Sequence, residues 1–165
     1  GLGDVYKRQE PVRTRVGHSF IKAKMAETNA VFGGEHSAHY YFRDFWRADS
    51  GMLAAMHVLA ALGQQDKPLS EMMAKYNRYA ASGEINSRLD SAEAQADRTE
   101  AVAKAFADRA ENVDRLDGVT VELKDGNWFN VRASNTEPLL RLNVEADTQE
   151  AVDALVKEIL AIIRA

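Results

Sequence analysis

The densest group of chemically useful side chains lies at residues 131–146, which read VRASNTEPLLRLNVEA. Arg132 is followed within four positions by Ser134, Asn135 and Thr136. An arginine guanidinium can donate two parallel hydrogen bonds to a phosphate or carboxylate group. Serine, asparagine and threonine favour tight turns, whose backbone N–H groups can converge on an anion. Taken alone, the segment favours an ordinary polar turn between two strands, with an anion-binding turn as the alternative.

A second polar group, Glu35-His36-Ser37-Ala38-His39, follows two glycines. In an extended segment Glu35, Ser37 and His39 would point to the same side, because side chains alternate along a strand. A carboxylate, a hydroxyl and an imidazole on one side could exchange hydrogen bonds with the hydroxyl groups of a sugar. A solvated loop with an incidental histidine is the alternative, and taken alone the segment favours it.

The composition of the 165-residue chain is that of a globular protein, with 45% hydrophobic and 28% charged residues. The absence of cysteine excludes disulfides, thiolate metal sites and cysteine nucleophiles. No apolar run approaches the roughly 20 residues that span a bilayer, and no secretory leader is recognisable. We therefore expect a cytoplasmic protein with no membrane partner.

The net charge of −4 is divided unevenly, with +3 over residues 1–89 and −7 over residues 90–165. The acidic second half argues against a nucleic-acid partner there. An anion bound in this half would need local arginine side chains, and Arg132 meets that requirement.

The first half of the chain predicts short elements around the Glu35 segment. Residues 1–9, GLGDVYKRQ, have neither helical nor strand periodicity and are interpreted as a non-native leader. The patterns then predict a helix over 18–28, a short buried strand over 30–32, a buried helix over 51–62 and a helix over 68–76. Asp49 or Ser50 is the expected N-cap of the helix over 51–62.

The second half predicts an α+β unit with helices on one side of a mostly antiparallel sheet. A strand over 79–89 precedes a helix that runs from a capping box at 90–93 to about residue 109. A hairpin centred on residues 124–127 and a strand over 139–144 follow. The last helix begins at a capping box at 147–150 and has one apolar stripe.

Both polar groups resemble motifs of the α-D-phosphohexomutases. Residues 132–146 resemble the phosphate-binding loop of that family, R-x-S-N-T-E-P-x-x-R-x-x-x-E-A, and residues 34–39 resemble its sugar-specificity loop, G-E-x-S-G-H. Ala38 stands where the second pattern has glycine, so an alanine methyl either requires a negative φ or strains the loop. Gly17-His18 resembles a further G-H segment, whose histidine faces the substrate. The alternative for His18 is a polar residue at a helix N-terminus.

The resemblance covers about residues 12–165 and implies the latter part of a four-domain enzyme. Residues 10–78 would be an incomplete α/β third domain that binds the sugar, and residues 79–165 a small α+β fourth domain that binds phosphate. The implied sugar-binding residues are His18, Glu35, Ser37 and His39, with His39 as the candidate for proton transfer. The implied phosphate-binding residues are Arg132, Ser134, Asn135 and Thr136.

Neither a T-A-S-H-N-P-like serine loop nor a D-x-D-x-D-R metal cluster is present in the sequence. Phosphoryl transfer needs a positioned acceptor and a cation that neutralises charge in the transition state. The resemblance therefore implies that Mg²⁺ and a hexose 1,6-bisphosphate activator serve the parent enzyme, and that this chain alone binds mannose or glucose phosphates without turnover. His36 and Asn135 favour the phosphomannomutase/phosphoglucomutase branch over the phosphoglucosamine mutases. A non-catalytic sugar-phosphate or anion-binding module is the remaining alternative.

Overall fold

A computed structural model describes residues 10–134 and 137–165 of the chain. The predicted leader, residues 1–9, and two predicted phosphate-binding residues, Asn135 and Thr136, lie outside the described residues. The chain forms two compact units, one ending at Pro68 and the other running from Leu69 to Ala165. No helix in the described ranges is both long and apolar enough to cross a membrane.

The first unit contains two helices and a small antiparallel sheet. Its elements are α1 (His18–Thr28), β1 (Phe32–Gly34), β2 (Tyr40–Phe42), β3 (Ala48–Asp49) and α2 (Gly51–Leu62). The strands lie in the order β1-β2-β3, and both pairings are antiparallel. The Oγ of Ser50 accepts a hydrogen bond from the N–H of Leu53 at 3.1 Å, so Ser50 is the N-cap of α2. The predicted bounds of both helices are confirmed.

Two predictions about burial in the first unit are wrong. The strand begins at Phe32 instead of residue 30, and Val31 and Phe32 are both more than half exposed. Helix α2 has no buried residue, and 77% of Met52 is exposed. The reason is the size of the sheet, because strands of two or three residues offer too little surface to cover an apolar helix. The buried hydrophobic residues of this unit are Ile21, Met25 and Tyr41.

The second unit is a six-stranded antiparallel sheet with two long helices packed on one of its faces. Its elements are α3 (Leu69–Ala74), β4 (Ala80–Ala81), β5 (Ile85–Arg88), α4 (Ala92–Ala105), a 3₁₀ turn (Ala107–Arg109), β6 (Ala110–Asp114), β7 (Val119–Leu123), β8 (Trp128–Ala133), β9 (Leu139–Ala146) and α5 (Gln149–Ile163). The sheet order is β4-β9-β8-β7-β6, with β5 also paired to β9. Alternate residues of β8 and β9 join α4 and α5 in one core. The predicted α+β class is confirmed.

The strand predicted over 79–89 is interrupted. Strands β4 and β5 are separated by Ser82, Gly83 and Glu84, and the β4–β5 segment has one more residue than β9 over the same stretch. Gly83 has φ +65, a left-handed value that favours glycine. An inserted residue bends an edge strand away from its partner, so Glu84 leaves the regular ladder.

Helix ends in the second unit also differ from the prediction. The N-caps are Ser91 and Thr148, each one residue later than the first residue of the predicted capping boxes. Helix α4 ends at Ala105, and the residues up to Arg109 form a separate 3₁₀ turn.

Strand β6, which lies at the edge of the sheet, was not predicted, because its sequence AENVD has a weak apolar alternation.

Candidate functional site

The segment 35–39 is a tight turn that joins β1 to β2. The backbone N–H of Ala38 donates to the carbonyl of Glu35 at 3.0 Å, and the N–H of Glu35 donates to the carbonyl of His39 at 2.9 Å. The predicted extended geometry is wrong because Gly34 pairs with Tyr40, and the chain must reverse direction between them. Alternation of side chains therefore does not bring Glu35, Ser37 and His39 to one side.

Two side-chain contacts fix the turn to the rest of its unit. The hydroxyl of Tyr41, which is fully buried, donates to Oε1 of Glu35. Nδ1 of His39 lies 2.9 Å from Oδ2 of Asp49, at the end of β3. The hydrogen bond from His39, with a contribution from the backbone of Asp49 itself, holds the pKa of the Asp49 carboxyl below its usual range. Burial, together with the Glu35 carboxylate, raises the pKa of the Tyr41 hydroxyl.

The predicted sugar-binding residues differ in exposure. Glu35 is half-buried, whereas Ser37 and His39 are exposed. Ala38 has φ 65, so the strained alternative foreseen for its methyl group is the one observed. His18 is the exposed first residue of α1, and no hydrogen bond within the described ranges links it to the turn.

The predicted anion site of the second unit lies where β8 ends and β9 begins. Arg132 on β8 is the direct register partner of Arg141 on β9, and both lie on the face of the sheet opposite the helices. The two side chains are largely covered, with 13% and 24% of their surfaces exposed. Directly opposed arginines repel each other, so this pairing requires negative charge nearby.

Glu84 supplies that negative charge. Its Oε2 atom lies 3.5 Å from Nη2 of Arg132 and 3.5 Å from Nη1 of Arg141. Its Oε1 atom accepts from the side-chain amide of Asn86 at 3.4 Å. One carboxylate is therefore shared by two guanidinium groups and one amide.

The described ends of the S-N-T-E-P turn contact the same arginine. Oγ of Ser134 accepts from Nη2 of Arg141 at 3.3 Å and from the backbone N–H of Glu137 at 3.3 Å. Oε2 of Glu137 lies 3.6 Å from Nη2 of Arg141. Arg141 therefore links the turn to Glu84, and the structure brings together two of the predicted phosphate-binding residues, Arg132 and Ser134.

Sequence reasoning missed four residues of these two sites. Arg141 was present in the motif, but only the two-strand register shows that it faces Arg132. Glu84 had one signal, the neighbouring Gly83, because a glycine inside a strand pattern often marks a bulge. Asp49 was considered only as a helix cap, and no sequence pattern singled out Tyr41.

Donor groups for a metal ion are dispersed. Within residues 10–134 and 137–165, no group of three or more histidine, aspartate or glutamate side chains could hold a metal ion. The acidic side chains at the two sites are instead paired with His39, Tyr41, Arg132 and Arg141. The residues described here therefore do not fit a Mg²⁺ site.

Two family profiles match successive parts of the chain. The profile described as "Phosphoglucomutase/phosphomannomutase, alpha/beta/alpha domain III" matches residues 4–79. The profile "Phosphoglucomutase/phosphomannomutase, C-terminal domain" matches residues 84–162. The first match begins inside the predicted leader, and the two matches meet near the sequence-based boundary between residues 78 and 79.

Proteins of similar sequence carry related names. A phosphomannomutase from Salmonella montevideo is 44% identical over 156 residues, 93% of this chain and 33% of that protein. A protein called "Phosphohexose mutases" from Xanthomonas campestris pv. campestris (strain B100) is 44% identical over 137 residues, 82% of this chain and 30% of its own length. The crystal structure of a phosphoglucomutase/phosphomannomutase family protein from Burkholderia thailandensis superposes with a TM-score of 0.74 at 30% identity. That match covers 94% of this chain and 33% of the solved one, so the chain spans about a third of these relatives.

The antiparallel α+β unit and the part of the chain that precedes it correspond to the last two domains of a phosphohexomutase. The chain belongs to the phosphoglucomutase/phosphomannomutase family, in which it corresponds to domain III and the C-terminal domain. The predicted family and fold class are confirmed.

Proposed function

We propose that this chain is the sugar- and phosphate-binding part of an enzyme that interconverts hexose 1-phosphate and hexose 6-phosphate through a bisphosphate intermediate. The observation that carries the proposal is the direct pairing of Arg132 with Arg141 beside the S-N-T-E-P turn. Two adjacent guanidinium groups can bind the oxygens of a phosphate dianion from two directions. The phosphomannomutase names of similar proteins support mannose or glucose as the hexose.

In this proposal the phosphate that is not reacting binds at the end of β8. Arg132 donates to it, and Ser134, Asn135 and Thr136 add hydroxyl, amide and backbone donors. Arg141 orients Ser134 through the 3.3 Å contact between Nη2 and Oγ. The assignment of Asn135 and Thr136 depends on the motif, since both lie outside the described residues.

The sugar would be recognised by the turn between β1 and β2. A carboxylate has about four lone-pair sites, so Glu35 can accept from a sugar hydroxyl while it keeps the hydrogen bond from Tyr41. Ser37 is exposed and can donate or accept beside it, and His18 is the further proposed sugar contact. His39 is the proposed proton-transfer residue, and its Nδ1 contact with Asp49 leaves Nε2 as the nitrogen that would face a substrate.

The complete reaction requires groups that we assign to the rest of a longer protein. Mg²⁺ would supply charge neutralisation during phosphoryl transfer, but the side chains described here do not form a site for it. The hexose 1,6-bisphosphate activator would likewise transfer one phosphoryl group to an unphosphorylated acceptor residue elsewhere, leaving a hexose monophosphate. We therefore expect this chain alone to bind sugar phosphates and to lack mutase turnover.

Two alternatives make different predictions. In a phosphoglucosamine mutase, position 36 would favour glutamine and position 135 glycine, whereas this chain has His36 and Asn135. A non-catalytic anion-binding module would bind inorganic phosphate as well as it binds a hexose phosphate. Titration with glucose 1-phosphate, glucosamine 1-phosphate and inorganic phosphate separates the three.

The proposed phosphate site is tested by Arg132→Ala in an NMR titration with glucose 1-phosphate. The wild-type chain should bind near 1 mM, about −4 kcal/mol, because a charge-assisted hydrogen bond contributes about 1.5–3 kcal/mol and immobilisation of the ligand offsets part of it. The backbone amides of residues 131–134, Glu137 and Leu139 should shift in the wild type and stay unchanged in Arg132→Ala.

Arg109→Ala is the matched control, since it removes the same charge from an exposed pair with Glu158. It should bind as the wild type does. Shifts that persist in Arg132→Ala would remove this residue from the site. Mutase activity in the purified chain with Mg²⁺ and glucose 1,6-bisphosphate would overturn the expectation of inactivity.

A further inference from the structure

We infer that Glu84 is an internal occupant of the anion site and that a bound phosphate must displace its carboxylate. The inference rests on the proposed function of Arg132 in phosphate binding. It concerns a residue that no motif of the sequence pointed to, and it makes Glu84 the determinant of how tightly the site holds phosphate.

The Glu84 carboxylate lies between the two arginines. Oε2 of Glu84 is 3.5 Å from both Arg132 and Arg141, which is the place where an anion bound by the two guanidinium groups would lie. A phosphate oxygen and a carboxylate oxygen have similar hydrogen-bonding geometry toward arginine. The same donors therefore cannot bind both groups fully at once.

The contacts between Glu84 and the two arginines are long for ion pairs. Strong charge-assisted hydrogen bonds are about 2.7–2.9 Å long, and Arg109 meets both oxygens of Glu158 at 2.9 Å in this same unit. The contacts of Glu84 are 3.5 Å. They hold the two arginines side by side but leave each guanidinium able to form a shorter bond with another anion.

The charges around the two arginines sum to zero when Glu84 stays in place. Arg132 and Arg141 are balanced by the carboxylates of Glu84 and Glu137. A phosphate dianion would enter a neutral cluster and face the Glu84 carboxylate at close range. If that carboxylate moves away, the dianion contacts two guanidinium cations with no competing anion between them. In addition, within the ranges that the structure describes, Nε of Arg141 is buried and has no hydrogen-bond acceptor.

The backbone that carries Glu84 lies outside the regular strand pairing. The residue follows Gly83 in the interruption between β4 and β5, outside the regular ladder. The side chain of Glu84 is 33% exposed, so its carboxylate can turn toward solvent. Displacement of the Glu84 side chain therefore leaves the core and the strand pairing intact.

The test is an NMR titration of the 165-residue chain with inorganic phosphate at constant ionic strength, in wild type, Glu84→Gln and Glu122→Gln. Glu122→Gln is the matched control. Like Glu84→Gln it removes one negative charge from the same face of the sheet, but it does so on β7, two strands away from β9. Glu84→Gln should bind phosphate about tenfold more tightly than wild type, since a nearby repelling charge is removed. Glu122→Gln should stay within about twofold of wild type.

A second readout follows the displacement itself. The side-chain amide of Asn86, which donates to Oε1 of Glu84, should shift when phosphate binds to the wild type. In Glu84→Gln the phosphate-induced shift of the Asn86 side-chain amide should be smaller, because this variant has no carboxylate at position 84 for phosphate to displace.

The outcomes separate the two proposals. Equal phosphate affinity in Glu84→Gln and Glu122→Gln, or weaker binding in Glu84→Gln, would overturn the inference and leave the phosphate site standing. Phosphate binding seen only in Glu84→Gln would support the inference, because it would mean that in the wild type the Glu84 carboxylate keeps phosphate out of the site. No shift at residues 131–134 in any variant would overturn both the site and the inference.

Discussion

Single residues show where this chain departs from its family pattern and what the departure costs. Ala38 occupies the glycine position of the sugar-specificity motif and has φ 65. A non-glycine residue in the left-handed region costs roughly 1–2 kcal/mol. The turn keeps this conformation because hydrogen bonds at 2.9 and 3.0 Å close it on either side.

Ala38→Gly should therefore stabilise the first unit by about 0.5–1 kcal/mol, the relief of strain being partly offset by the greater freedom of glycine in the unfolded chain. Ala55→Gly, in the middle of the exposed face of α2, is the control and should destabilise by about 1 kcal/mol. Urea denaturation followed through the amides of α1 and β2 measures both. A loss of stability in Ala38→Gly would show that the turn stores no strain.

At the scale of elements, the connection from β6 to β7 determines where Arg132 lies. Gly118 has φ +67, and a Cβ atom built there would meet the carbonyl oxygen of Val131 at 2.2 Å and Cβ of Arg132 at 2.6 Å. The side-chain amide of Asn130 donates to the carbonyl of Asp117 at 3.0 Å, which ties the same connection to β8. The turn is packed directly against the strand that carries Arg132.

Gly118→Ala should destabilise the second unit by about 3 kcal/mol, because β8 or the turn must move to admit the methyl group. Gly126→Ala is the matched control: φ is +88, but nothing lies within 4 Å of the added Cβ. It should cost only about 1–2 kcal/mol, from the left-handed backbone alone. Denaturation of both variants in urea gives the difference, and equal losses would contradict a packing role for Gly118.

Elements defined by local patterns were predictable, and contacts between distant residues were not. Helices over 18–28 and 51–62 and the hairpin around 124–127 depend on apolar periodicity and turn residues within a few positions. The contact of Glu84 with Arg132 spans 48 residues of sequence and depends on which strands are neighbours. Motifs therefore located Arg132 and Ser134, whereas Arg141 and Glu84 required the order and register of β5, β9 and β8.

The two units differ in how much apolar surface they bury, which is a property of the whole molecule. The buried hydrophobic residues of the first unit are Ile21, Met25 and Tyr41. The second unit has a core whose buried residues come from three strands, β7, β8 and β9, and from both long helices. Stability follows buried apolar area at about 25 cal/mol per Å², so the second unit should be much the more stable of the two and should fold by itself.

Native-state hydrogen exchange measures this difference in one experiment on the intact chain. Amides of β7, β8, β9 and α5 should be protected by at least about 3 kcal/mol more than amides of α1 and β2, because buried, well-packed segments open only with their whole unit. Exposed apolar side chains, with 83% of Trp46 and 77% of Met52 accessible, should also make the first unit the source of aggregation on heating. A chain of residues 69–165 should keep the exchange pattern of the second unit and lose the aggregation. Equal, high protection over residues 12–75 and 80–165 would contradict the claim that the first unit is the weaker one.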